Sequence, residues 1–176
     1  MNAFVLLLDT GQAGSSSNTV KIMPFVRRSK PVCWRCSESY MMEKEVRRFY
    51  VGGALGVDMW AAEQILRLKE QPGYEDIELV VALPFVGHDA KWDQRSKRRM
   101  EFILQHCSKK EVIGNEDCRE SYVKRNCYMV DQANYLVAVY DDGRNLRSGT
   151  MQCVRYAQKN HVPVVLIHPD TAIITW

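Results

Sequence analysis

The sequence has no apolar run approaching the ~18 to 20 residues that a membrane-crossing helix requires, which excludes the helical membrane classes and any membrane partner reached that way. Six prolines and ten glycines in 176 residues are too few for a fibrous or low-complexity chain. With 46% of its residues apolar it is also too hydrophobic to remain unfolded. Charge of one sign is lacking: Lys+Arg 24 against Asp+Glu 21 leaves a net +3, so no nucleic-acid partner follows from charge and any anion site must be local. Zinc needs about four ligands, and beside Cys33-Trp34-Arg35-Cys36 there is no second C-x-x-C or H-x-x-x-H pair, so no metal and no resident cofactor are expected. No Lys or Arg precedes the short apolar stretch 3–8, which therefore does not read as a signal peptide. The six cysteines (Cys33, Cys36, Cys107, Cys118, Cys127, Cys153) are accordingly expected as reduced thiols in a cytoplasm. A chain of this length buries roughly 70% of its unfolded surface and needs no covalent staple.

What is present is an alternation of two periods. Short β-rich runs occur at 48–52 (RFYVG), 77–83 (IELVVAL), 111–113, 135–140 (YLVAVY) and 162–167 (VPVVLI). Helical stripes lie between them: Val57, Ala61, Ile65 and Leu68, closed by Pro72-Gly73, then Met100, Ile103, Leu104 and Cys107 behind a charged opening at 91–99. Two more helices are expected at about 120–133 and 149–160. Nearly continuous apolar strands, each followed by a helix, predict a Rossmann-like three-layer α/β/α sandwich with a mostly parallel sheet. Ligands of such sheets bind at the carboxyl ends of the strands.

Two strand-to-helix turns carry small residues there. The first reads Gly52-Gly53-Ala54-Leu55-Gly56-Val57-Asp58. Glycines let the backbone approach a ligand, and the following helix offers unpaired N–H groups to a phosphate. A tight turn that only eases packing explains them equally well. The second turn runs from Asp141 to Thr150 and ends in Ser148-Gly149-Thr150 at a helix start. Two such turns on one sheet predict a crevice for a phosphorylated or ribosylated small molecule.

The block VGGALGVDMWAAE (51–63), the element Pro84-Phe85 with Trp92, KRNCYMVDQANYLVAVYD (124–141) and Ser148-Gly149-Thr150, in this order, resemble the YpsA/YspA-like branch of the SLOG superfamily. The resemblance covers about 47–169. That superfamily also includes the LOG-type phosphoribohydrolases and the DNA-processing protein DprA. It implies a cytoplasmic bacterial protein with a Rossmann-like fold that binds a nucleotide or ADP-ribose-like ligand. By position, Gly52, Gly53, Ala54 and Gly56 match the first ligand loop, with Asp58 and Glu63 as acidic companions. Arg125 and Asn126 match an Arg-Asn pair, and Ser148, Gly149 and Thr150 the second phosphate loop.

Asp58 either caps its helix or accepts a ribose hydroxyl; Glu63 is either a polar anchor or, with Asp58, an acid/base candidate; Arg125 pairs with a phosphate or forms an ordinary salt bridge. LOG-type enzymes carry a catalytic glutamate three residues after the loop threonine, where this chain has Cys153, and Ser148 replaces the first loop glycine. The expectation is therefore binding or sensing of a nucleotide-derived ligand. The alternatives are a LOG-type N-glycosidic hydrolase and a single-stranded DNA binder using the basic face at 91–99, where two nearby carboxylates are expected to neutralise part of the charge. His88 reads as a rim residue, an acid/base group or a hydrogen-bonded bystander. Cys127 and Cys153 read as small hydrophobes. Assembly with further copies stays open.

Residues 1–45 do not fit the pattern of 46–176. Relatives implied by the resemblance open with a strand and a loop of the type FTGHRP, whereas this chain reads MNAFVLLLDTGQAGSSS. Residues 6–13 can be encoded so that a one-base shift yields FTGHRPG. The shifted reading of Met41-Met42-Glu43 is forced to Asp-Gly. The first ~43 residues are read as an out-of-frame translation, which predicts a sheet without its first strand and helix.

Overall fold

A computed structural model of the chain describes residues 2–8, 46–140 and 148–175. The sheet contains β1 (Asn2–Leu8), β2 (Val46–Val51), β3 (Glu78–Leu83), β4 (Lys109–Val112), β5 (Tyr135–Val139), β6 (Val164–Ile167) and β7 (Ile174–Thr175). Their spatial order is β4-β3-β2-β1-β5-β6-β7, and every pairing is parallel except β6 with β7. Among the described residues four helices cross between them: α1 (Val57–Lys69), α2 (Gln94–His106), α3 (Arg119–Asp131) and α4 (Gly149–Lys159). The expected strands and helices are found, with ends shifted by one to three residues.

Alternation along the strands builds two cores. Phe49, Val51, Leu79, Val81 and Leu83 point to the face covered by α1 and α2, where Met59, Ile65, Met100 and Ile103 are buried. Tyr50, Val80, Ala82, Leu136 and Ala138 point to the face covered by α3 and α4, against Met129, Val154 and Ala157. Both faces of the sheet are thus apolar, as parallel strands require, and the three-layer sandwich follows.

The front end departs from the sequence reading in one respect. A first strand is present: β1 lies at the centre of the sheet, with Phe4 beside Phe49 and Tyr135 on its two neighbours. Its apolar run, NAFVLLL, suits a strand paired on both edges, and 46 is therefore not where the sheet begins. The expected missing helix, and the segment 9–45 with Cys33 and Cys36, lie outside the described residues.

Candidate functional site

The chain runs from β1 to a neighbour on one side (β2) and returns late to the other (β5), so the carboxyl end of β1 is a topological switch point. The two small-residue turns flank it: 52–56 leaves β2 and enters α1, and 148–150 enters α4 after β5. The stretch 141–147 between them lies outside the described residues.

The first turn is shaped by Gly53 at φ 62° and Gly56 at φ 94°, both in the left-handed region that favours glycine. A methyl group on Gly53 would also meet Met100 Cε at 2.6 Å and Leu83 Cδ2 at 2.9 Å. On Gly52 it would overlap the Arg125 guanidinium and lie 2.9 Å from Asp58 Oδ2. These glycines are required by close approach, whatever the ligand.

Asp58 is buried, and its Oδ2 accepts the Ala54 N–H at 3.1 Å. It holds the turn that precedes its own helix. Arg125 comes from α3 and is also buried, with Nη1 3.9 Å from Asp58 Oδ2. It is therefore not a surface salt bridge. Burial pushes the Asp58 carboxyl up, opposed first by the Arg125 charge, and works against the Arg125 charge, opposed first by Asp58. A guanidinium stays protonated in proteins, and the two groups stand at salt-bridge distance. Asp58 Oδ1, Arg125 Nε and Nη1, and Asn126 Oδ1 are buried with no hydrogen-bond partner among the described residues.

Asn126 links this group to the second turn, since a methyl on Gly149 would come within 3.5 Å of its Nδ2. There Ser148 caps α4, its Oγ accepting the Met151 N–H at 3.1 Å, and Thr150 is buried in the first helical turn. Cys153 is buried one turn on, and its thiol is pushed up to about 12 by burial. Burial of this kind favours the thiol over the reactive thiolate. Cys127 is only half-buried.

Glu63 is not part of this group. Five residues beyond Asp58 is a rotation of about 500°, which turns it to another face of α1. There it takes Arg99 of α2 in a two-pronged pair at 2.7 and 2.9 Å. The pair lines a groove of about 760 Å³ between α1 and α2, with Leu66, Arg67, Arg95, Arg98 and Phe102. This groove is therefore away from the glycine turns. A smaller pocket of about 210 Å³ opens beside Tyr140, at the end of β5.

The basic run divides. Helix α2 starts only at Gln94, capped by Asp93, whose Oδ1 accepts the Arg95 and Ser96 N–H groups at 3.0 Å. Lys91 pairs with Asp117 at 3.2 Å, so the two expected carboxylates are Asp117 and Glu63. Trp92 packs on the core and on His88 rather than standing free. His88 reaches the first turn, with Nε2 3.0 Å from the Gly53 carbonyl. Sequence reasoning missed the Asp58–Arg125 contact; the signal available was two opposite charges in matching motif blocks, 67 residues apart.

Among known proteins, the model of the YspA SLOG family matches residues 35–172. The SPbeta prophage-derived protein YoqJ of Bacillus subtilis is 33% identical over 147 residues, covering 76% of this chain and 83% of that protein. A UPF0398 protein of Staphylococcus epidermidis is 25% identical over 105 residues, 58% of this chain, and the match spans only 55% of that relative's length. Of solved structures, DNA processing protein A of Helicobacter pylori, described by its single-stranded DNA binding mode, is similar with a TM-score of 0.56 at 17% identity. It covers 94% of this chain and 64% of that one. The Streptococcus pneumoniae protein gives a TM-score of 0.56 at 15% identity.

Proposed function

Because the chain belongs to the YspA SLOG family, we propose that it binds a nucleotide or nucleotide-derived ligand at the carboxyl end of β1, between the two small-residue turns. The observation that carries this reading is the convergence of the α1 and α4 N-termini on the switch point, joined underneath by Arg125 and Asn126. Helix N-termini favour phosphate, and Gly52, Gly53, Ala54, Gly56, Ser148, Gly149 and Thr150 supply the backbone there. Asp58 and Arg125 support the turn from within.

Binding is favoured over LOG-type hydrolysis by the disposition of the carboxylates. Asp58 is occupied by the turn, Glu63 by Arg99, and Cys153 stands where those enzymes have their glutamate. Thermal-shift measurements with ADP-ribose, NAD, nucleoside monophosphates and cyclic dinucleotides test the reading. At least one raises the melting temperature, by the mass-action term of about 2.7 kcal/mol at a hundredfold excess over Kd. No response to any of them defeats it. Product formation from a binding nucleotide, lost in Glu63→Gln with binding retained, would instead favour the hydrolase.

A second reading has its own support. The α1–α2 groove carries Arg67, Arg95 and Arg98 around the half-exposed Phe102, a combination suited to single-stranded nucleic acid, and the Helicobacter pylori protein of similar fold is described as binding single-stranded DNA. Oligonucleotide binding that weakens steeply with salt and is lost in the Arg95→Glu, Arg98→Glu double variant would establish it.

A further inference from the structure

We infer that His88 is a positioning residue for the first ligand turn: its ring donates to the Gly53 carbonyl and fixes the peptide orientation that aims the α1 N-terminus into the crevice. The inference rests on the crevice reading above and extends it to a side chain outside both small-residue turns.

The turn is held from two sides by groups of opposite polarity. Asp58 accepts the N–H of Ala54. The carbonyl of the same peptide unit, that of Gly53, is met by His88 Nε2 at 3.0 Å. A carbonyl only accepts, so chemistry assigns the proton to Nε2. Gly53 needs such a restraint because it sits at φ 62°, with Met100 and Leu83 against its Cα.

The ring is itself located by aromatic edges, Trp92 at 5.1 Å and Phe85 at 6.5 Å, and Phe85 in turn meets Tyr122 of α3 at 5.8 Å. Gly87, at φ 79°, makes the bend that returns His88 toward β2. The segment after β3, the turn after β2 and one side of α3 are therefore tied together through one imidazole. Nothing else among the described residues donates a hydrogen bond to that carbonyl.

Two variants separate the donor from the ring. His88→Phe keeps an aromatic ring and removes the donor, and His88→Gln keeps an N–H donor and removes the ring. In His88→Phe, amide hydrogen exchange over residues 52–57 is expected to accelerate about tenfold while the melting temperature moves by no more than about 2 °C. Affinity for ADP-ribose, read by calorimetry, falls about tenfold or more. His88→Gln stays near wild type in exchange and affinity. Unchanged exchange in His88→Phe, or a His88→Gln variant as impaired as His88→Phe, overturns the inference. If wild-type protein binds no nucleotide probe, the crevice reading has failed, and the exchange measurement alone still decides the role of His88.

Discussion

Arg125 and Asp58 show how far a residue's role depends on its neighbours. Each is buried, and each has polar atoms that no partner satisfies. Removing one member of a buried ionic pair leaves the other charge uncompensated, at a cost of about 3–5 kcal/mol. Arg125→Ala is therefore expected to lower the urea midpoint sharply, and an unchanged midpoint would show that the contact is not what holds this corner. His88 gives a pH signature. Burial lowers its pKa from the ordinary 6.5, the Gly53 carbonyl and Asp89 raise it, and Arg125 lowers it further. The unfolded histidine thus takes up its proton near 6.5 while the folded one resists, so its contribution to stability is full above that pH and is lost as pH falls toward the folded value. Asp58, with a raised value, acts in the opposite sense at lower pH. The comparison isolates His88: between pH 7.5 and pH 5.5 the wild-type midpoint should fall more than that of His88→Gln.

At the scale of elements, the helix ends were partly legible. Asp93 and Ser148 are N-caps of a common type, each accepting first-turn N–H groups. Asp93→Ala or Ser148→Ala should each cost about 1 kcal/mol in chemical denaturation, and Ser148→Ala should also shift ligand affinity if its turn contacts phosphate. Helix α1 has no side-chain cap: Gly56 occupies that position and Asp58 acts behind it. That arrangement could not be read from the chain, because the inward turn of Asp58 depends on how α1 packs against Arg125 of α3. The front segment yields a prediction at this scale. We propose that the reading frame is displaced before about Leu6 and restored near Glu43. The coding DNA then carries a single-base insertion or deletion at each end, and bases incompatible with FTGHRP in the shifted frame refute it.

For the molecule as a whole, local pattern determined a good deal. Period-two and period-3.6 runs gave four helices and the strands that β2 to β6 became, and near-continuous apolar strands required a sheet covered on both faces. The motif blocks located the two turns that approach the switch point. What only tertiary structure decided is which residues meet. Strand order placed β1 between β2 and β5 and so brought turns nearly a hundred residues apart to one edge. The phase of α1 sent Asp58 inward to Arg125 and Glu63 outward to Arg99, although both carboxylates belong to one motif. A bend at Gly87 carried His88 onto the Gly53 carbonyl. Periodicity is a property of neighbours along the chain and survives in the sequence. Pairing of buried charges and donors depends on strand order and helix rotation, and these are fixed only when the two cores pack.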